Sequence, residues 1–338
     1  MIKTTNKIDV HHHIFPKEYV DAVKNAGVKN TFGVDFPKWS VEIAFKKMKE
    51  NGIKLAMLSI STPGVYFSGV ETSEGFSENL AHQTNEIIAG IKHKYPESFG
   101  GFATIPMLNQ QAAIKELNYA LDVLKLDGVC LMTNYLGKYL GDSYFDPFFN
   151  ELNKRNAVVF IHPTDPGEEH DFKLGFPNAL IEAPFDTTRV VANLMYNGIL
   201  DKYPNITYIL SHGGGTIPYI AWRLASIEYG QNEKRTPVVQ ALYDFLVNRE
   251  PTKGLKHLKK MYYDTANVSG DYMVKTLQAF AGPDHIVFGS DLSISKLAPI
   301  ITKNLAKDGN FTDEEYNKMS YSNCLRLFPA FNKLYDRK

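Results

Sequence analysis

The sequence predicts a (β/α)8 barrel. Eight short apolar runs recur along nearly the whole chain, and each is followed by a helical stretch or a longer insertion. The runs are almost continuously hydrophobic rather than alternating. Strand–helix alternation implies parallel crossovers, and continuous apolarity implies strands covered on both faces. Eight such units suit a closed barrel better than an open doubly wound sheet, and they make residues 1–338 one expected domain.

The first strand is Ile8-Asp9-Val10-His11-His12-His13-Ile14-Phe15-Pro16. An irregular stretch to Trp39 follows, then Ser40 caps a helix to about Glu50 that Asn51-Gly52 closes. Lys54 to Ile60 is the second strand, and after a loop with Pro63, Gly64 and Gly69 a helix runs from Glu78 to Lys94. Phe99 to Ile105 is the third strand. Ala113, Leu117, Leu121 and Leu124 give Gln110 to Lys125 a helical period. Gly128 to Met132 is the fourth strand, Thr133 to Tyr144 an aromatic loop, and Asp146-Pro147 begins a helix to about Arg155.

Ala157 to His162 is the fifth strand, and a loop rich in proline and glycine extends to about Pro184. A helix from Thr187 to Leu200 leads to the sixth strand, Thr207 to Ser211, and then to His212-Gly213-Gly214-Gly215. Ile217 to Glu228 is helical, with a polar helical insertion to about Gly254. Tyr262 to Thr265, a helix from Tyr272 to Phe280, and His285 to Gly289 complete the barrel. A helical region from Thr312 to Leu327 ends the chain.

Lys plus Arg and Asp plus Glu number 37 each, so no basic excess favours nucleic acid as a partner. The longest apolar runs are too short to cross a bilayer, and the first seven residues lack the apolar core of a signal peptide. Only Cys130 and Cys324 are present, which suits a reducing cytosol rather than a disulfide framework. A cytoplasmic protein is expected.

In such a barrel the C-terminal strand ends converge on one face, where active sites are built. His11 and His13 end the first strand, His162 the fifth, His212 the sixth and Asp291 the eighth. An unpaired imidazole or carboxylate after an apolar run would be costly to desolvate. His-x-His alternates to one side of a strand and makes half a metal site. His11, His13, His162 and Asp291 would hold one divalent ion, with His212 as a general acid/base beside it or as a further ligand. Asp291 could accept protons as well as ligate. His12 points the other way and is assigned to packing or support. Arg189 and Arg223 are candidate carboxylate clamps, and Trp39, Tyr66, Phe67, Tyr135 and Tyr139 candidate walls for an apolar ring.

Asp9-x-His11-x-His13 with Pro16, Phe160-Ile161-His162-Pro163-Thr164, Leu210-Ser211-His212-Gly213-Gly214-Gly215 and Phe288-Gly289-Ser290-Asp291 resemble the metal-dependent amidohydrolase superfamily. They are most similar to its decarboxylase branch, which includes aminocarboxymuconate semialdehyde, gamma-resorcylate and 6-methylsalicylate decarboxylases. The resemblance extends through 133–142 and Leu325-Arg326-Leu327-Phe328-Pro329. It implies a barrel with one divalent metal, usually zinc and sometimes manganese. It also implies ligands at His11, His13, His162 and Asp291, and His212 as catalytic acid/base.

An arginine shortly after the catalytic histidine reaches a neighbouring subunit's substrate in the aminocarboxymuconate enzymes. Arg223 stands in a similar place, which makes a homodimer or higher homo-oligomer an expectation. This chain departs from the resorcylate branch at Glu-x-His, where it has His-x-His. It also departs from the usual Gly-Ser-Asp-Phe/Tyr-Pro ending, where it has Ser290-Asp291-Leu292-Ser293-Ile294. The expected activity is non-oxidative decarboxylation of a hydroxylated aromatic or related unsaturated carboxylic acid. Metal-dependent hydrolysis of an amide, lactone or ester is the alternative, and a catalytically silent metal-binding protein is a third reading.

Overall fold

The computed structural model describes residues 6–67, 75–165, 175–226, 251–307 and 310–335, together with Val238, Leu242 and Phe245. Eight strands form one parallel sheet in chain order: β1 (Lys7–His13), β2 (Ile53–Ser59), β3 (Phe99–Thr104), β4 (Gly128–Met132), β5 (Val158–His162), β6 (Thr207–Leu210), β7 (Tyr262–Asp264) and β8 (Ile286–Val287). The chain leaving β8 returns to β1. Val10 N donates to Phe288 O at 3.0 Å, Asp291 N donates to His11 O at 2.9 Å, and Leu292 bridges His12 in parallel. These contacts close the barrel at its mouth, so the fold is the (β/α)8 barrel that the run of strands predicts.

Closure is polar as well as apolar. Asp9 is wholly buried and accepts from the backbone N of His11 (3.1 Å) and of Ser290 (2.9 Å), from Ser290 Oγ (2.5 Å) and from His12 Nδ1 (3.0 Å). A buried carboxylate left unpaired is costly, so these four donors fix the crossing of β1 and β8. The β1–β2 register steps from Asp9–Ala56 to His12–Leu58, placing one extra residue on β1. Such a bulge re-aims side chains beside it. Below the mouth, Phe102 stacks on Phe160 with ring centroids 5.5 Å apart, which fills the barrel interior with aromatic carbon.

Most helices follow the sequence reading. Ser40 Oγ accepts from Ile43 N at 3.3 Å to start the helix Val41–Asn51, and Gly52 ends it in the left-handed region. The helix expected from Thr187 instead begins at Glu182 and stops at Tyr196. Pro184 stands in its first turn, where no intrahelical N–H is required, so the proline does not delay the helix. A separate short helix, Ile199–Lys202, follows a left-handed Gly198. Gly254, the expected end of the insertion, lies inside the helix Thr252–Lys260. The Gln110–Lys125 helix changes to a π-helix over Tyr119–Val123.

The aromatic loop holds a short antiparallel ribbon, Asn134–Tyr135 against Lys138–Tyr139. Gly69, His170 with 166–174 of the loop after β5, and most of the insertion expected after Glu228 lie outside the described residues. Among the described residues no helix is long and apolar enough to cross a membrane.

Gly215 gives a direct test of how the loop after β6 packs. Its φ is 64°, and a Cβ there would stand 2.0 Å from Pro184 O. Gly215→Ala is expected to lower stability by roughly 2–4 kcal/mol, because left-handed strain and a backbone clash add. Thermal melting of the variant checks this, and an unchanged melting temperature would contradict the packing described.

Candidate metal centre

Four side chains from three strand ends meet at the mouth: His11 within the β1 bulge and His13 just after it, His162 ending β5, and Asp291 beyond β8. One donor atom from each lies within 4.8 Å of all the others, and all four residues are buried. His11 Nε2 and His13 Nε2 are 2.9 Å apart, and each is 3.4 Å from Asp291 Oδ1. Metal–ligand bonds of ~2.0–2.1 Å place tetrahedral donors about 3.3 Å apart, so these spacings suit a shared ion.

The hydrogen bonds behind the donors fix which nitrogens are free. His162 Nδ1 lies 2.8 Å from the carbonyl of Pro163, which can only accept, so Nδ1 carries the hydrogen and Nε2 the lone pair. His11 Nδ1 lies 2.7 Å from Asp264 Oδ2, which leaves Nε2 as the inward lone pair. His13 Nδ1 faces Ser59 Oγ at 3.4 Å.

Electrostatics favour the ligating forms of His13, His162 and Asp291. Burial drives the His13 imidazole down to about 4, and the hydrogen bond it can donate to Asp291 only partly opposes it. Burial also takes His162 well below the usual histidine range, helped by its imidazole neighbours. Both are therefore neutral near neutrality. His11 is raised, because Asp264 outweighs the burial that would lower it. Burial alone would raise the Asp291 carboxyl, yet His11, His13 and His212 hold it well below the usual carboxylate range. Three imidazole lone pairs and one ionised carboxylate make a donor set that fits a divalent metal ion.

His212 stands beside the donors. Its ring centroid is 5.0 Å from that of His11, and its Nε2 is 3.6 Å from Asp291 Oδ2. His212 is left-handed, with φ 54°, and its backbone N donates to Asp264 Oδ1 at 2.8 Å. Its Nδ1 is buried and has no hydrogen-bond partner. Phe160 forms the apolar floor, with its ring 5.0 Å from that of His11.

Two residues of the centre escape a reading of the sequence. Asp264, at the end of β7, touches both His11 and His212. Its signal was a carboxylate at a strand end equivalent to the others, in Tyr262-Tyr263-Asp264. Asn267 Nδ2 donates to Asp291 Oδ2 at 2.7 Å, and only its nearness to that strand end marks it. Gly289 lets these groups approach, since a Cβ on it would lie 2.9 Å from Asp264 and 3.0 Å from His11.

None of the other candidates is among the four donors. Arg189 Nη1 pairs with Glu182 at 3.0 Å and lies 3.6 Å from buried Asp186, so carboxylates of its own helix hold it. Asp186 also accepts from Thr133, Asn134 and Tyr139. Arg223 is exposed and lines a surface groove of about 650 Å³ with Trp222 and Tyr196. Tyr135 is buried against Tyr66, and its hydroxyl accepts from Met132 N at 3.1 Å. Trp39 packs partly buried on the core, with its indole Nε1 unpartnered. His12 turns to Asp9, away from the donors.

Comparison with known proteins agrees with this architecture. The amidohydrolase family model matches residues 8–330. The chain is 34% identical to the decarboxylase macB of Penicillium terrestre, over 98% of this chain and 97% of that protein. It is 32% identical to the 6-methylsalicylic acid decarboxylase of Penicillium expansum, over 98% of each. Its fold is similar to that of a Polaromonas dihydroxybenzoic acid decarboxylase solved with manganese and 2-nitroresorcinol. That match has a TM-score of 0.76 and 20% identity, covering 96% of this chain and 97% of the other.

His162→Ala removes one of the three imidazole donors. The variant is expected to fold and to lose metal by at least about tenfold in affinity. Elemental analysis after dialysis against a weak chelator reads this, and equal metal in both proteins would remove His162 from the donor set.

Proposed function

This chain belongs to the amidohydrolase family, and from that premise we propose that it is a metal-dependent carboxy-lyase. Its substrate would be a hydroxylated aromatic or related unsaturated carboxylic acid, split to carbon dioxide without oxidation. The relatives that match nearly its whole length are decarboxylases, and one is named for 6-methylsalicylic acid. The observation that carries the reading is the adjacency of His212 Nε2 to Asp291 Oδ2, 3.6 Å apart, beside the metal donors.

His11, His13, His162 and Asp291 would hold the ion, zinc or manganese. When bound, the ion would supply positive charge that orients the ortho oxygen and carboxylate of the acid and favours the ionised form of that oxygen. His212 donates a proton to the ring carbon that bears the carboxylate, from Nε2. The carbon–carbon bond then breaks, carbon dioxide leaves, and the bonding pair restores the ring. Asp291 Oδ2, ionised, faces the same nitrogen and steadies the imidazolium before the transfer, and a proton from solvent restores His212 afterwards. Phe160 keeps water from the floor of the site.

A homodimer is part of the reading. Tyr219 and Trp222 are 86% and 57% exposed on the helix Ile217–Ala225, which carries Arg223. Val238, Leu242 and Phe245 are exposed too. A second copy covering this helix would bury Tyr219 and Trp222 and bring Arg223 towards its substrate carboxylate, where guanidinium binds two oxygens at once. The unpaired, buried Cys130 and Cys324 support a cytosolic setting.

Carbon dioxide release from a panel of salicylate-type acids by metal-replete protein tests the activity. Turnover of at least one acid is expected, with His212→Asn slower by about a hundredfold or more at unchanged metal content. Ester or lactone cleavage without carbon dioxide release would replace this reading with hydrolysis. Light scattering on the same sample should give twice the 38.1 kDa chain mass. A monomer would remove Arg223 from the substrate site.

A further inference from the structure

The loop after β7 reaches Asp291 through Asn267. Asn267 Nδ2 donates to Asp291 Oδ2 at 2.7 Å, and Asn267 Oδ1 accepts from Ser295 Oγ at 3.1 Å. The serine hydroxyl can donate to the amide oxygen, and the carboxylate accepts only, so the amide has one consistent orientation. Ser295 N also donates to Asp291 O at 2.8 Å, so Asn267, Ser295 and Asp291 form a closed ring of contacts.

The two oxygens of Asp291 are thereby divided. Oδ1 lies 3.4 Å from both His11 Nε2 and His13 Nε2. Oδ2 is engaged by Asn267 and stands 3.6 Å from His212 Nε2. The backbone around this division is held in an uncommon state. His212, Asn267 and Asp291 have φ of 54°, 56° and 58°, left-handed values that Asn, Asp and His tolerate better than most side chains. Three such residues joined at one carboxylate indicate that the surrounding fold fixes their positions.

We propose that Asn267 is a positioning residue that reserves Oδ2 of Asp291. Oδ1 is then the one oxygen of this aspartate left for the ion, and Oδ2 stays aligned with His212. The proposal rests on the four-residue donor set as a metal site and is independent of which substrate is turned over.

Cobalt(II)-loaded protein tests it. Asn267→Gly keeps the left-handed backbone and removes the amide, while Asn267→Asp keeps the shape and replaces the donor with a second carboxylate. Metal affinity by chelator competition and the cobalt d–d absorption are read without substrate. Both variants are expected to bind one ion about 10–100-fold more weakly, with a changed d–d band. For whichever substrate the wild type turns over, kcat should fall about tenfold or more with KM within about threefold.

Ser295→Ala, which loosens the amide without touching Asp291 through its side chain, should shift the same band less. Wild-type affinity and spectrum in Asn267→Gly would overturn the proposal. If that variant fails to fold, the same result in Asn267→Asp or Ser295→Ala would do so. Inactivity towards aromatic acids would leave both substrate-free readouts standing.

Discussion

One buried carboxylate organises the mouth of this barrel. Asp264 Oδ2 takes the Nδ1 hydrogen of His11, while Oδ1 accepts from the backbone N of His212 at 2.8 Å and of Ala266 at 2.9 Å. The residue is wholly buried, so its charge is tolerable only because both oxygens are engaged. The same two oxygens set the tautomer of one imidazole and the backbone position of another. β1, β6 and β7 are thus joined by a single side chain, and the joint works only if the barrel is closed. Metal-bound histidines generally lean on such an acceptor, which orients the ring and raises its basicity.

The rest of the fold serves this joint. Asp9 binds Ser290 through both backbone and hydroxyl, which holds the segment before Asp291 against β1. The bulge in β1 re-aims the histidines, and Gly289 lets Asp264 and His11 come within contact. Phe160 and Phe102 close the interior below. Buried polar strand ends over an aromatic floor set charges and dipoles in a low-dielectric mouth, the setting in which electrostatic control of a reacting group is strongest.

Much of this was legible in the chain because the barrel turns sequence order into spatial order. Apolar runs such as Ala157 to Ile161 announce strands, and a polar residue directly after each run must lie at the mouth. Those two facts lead to His11, His13, His162, His212 and Asp291, which the structure gathers on one face. Asp264 was harder to see, because its strand is only Tyr262–Asp264 and its partners lie 253 and 52 positions away. Asn267 lies beyond any strand and acts through a side-chain amide, for which no local pattern exists. Arg189 illustrates the converse. A lone arginine resembles a clamp until its helix begins at Glu182 and supplies the carboxylate that binds it.

The chemistry proposed for this mouth depends on three imidazoles and one carboxylate sharing a single ion. X-ray absorption at the metal edge, on protein loaded with one equivalent of zinc or manganese, measures that directly. The arrangement of His11, His13, His162 and Asp291 predicts an outer-shell scattering pattern from three imidazole rings, with light nitrogen and oxygen neighbours in the first shell. An oxygen-only shell with no imidazole scattering would mean that the ion binds elsewhere, and the chemistry assigned to this mouth would go with it.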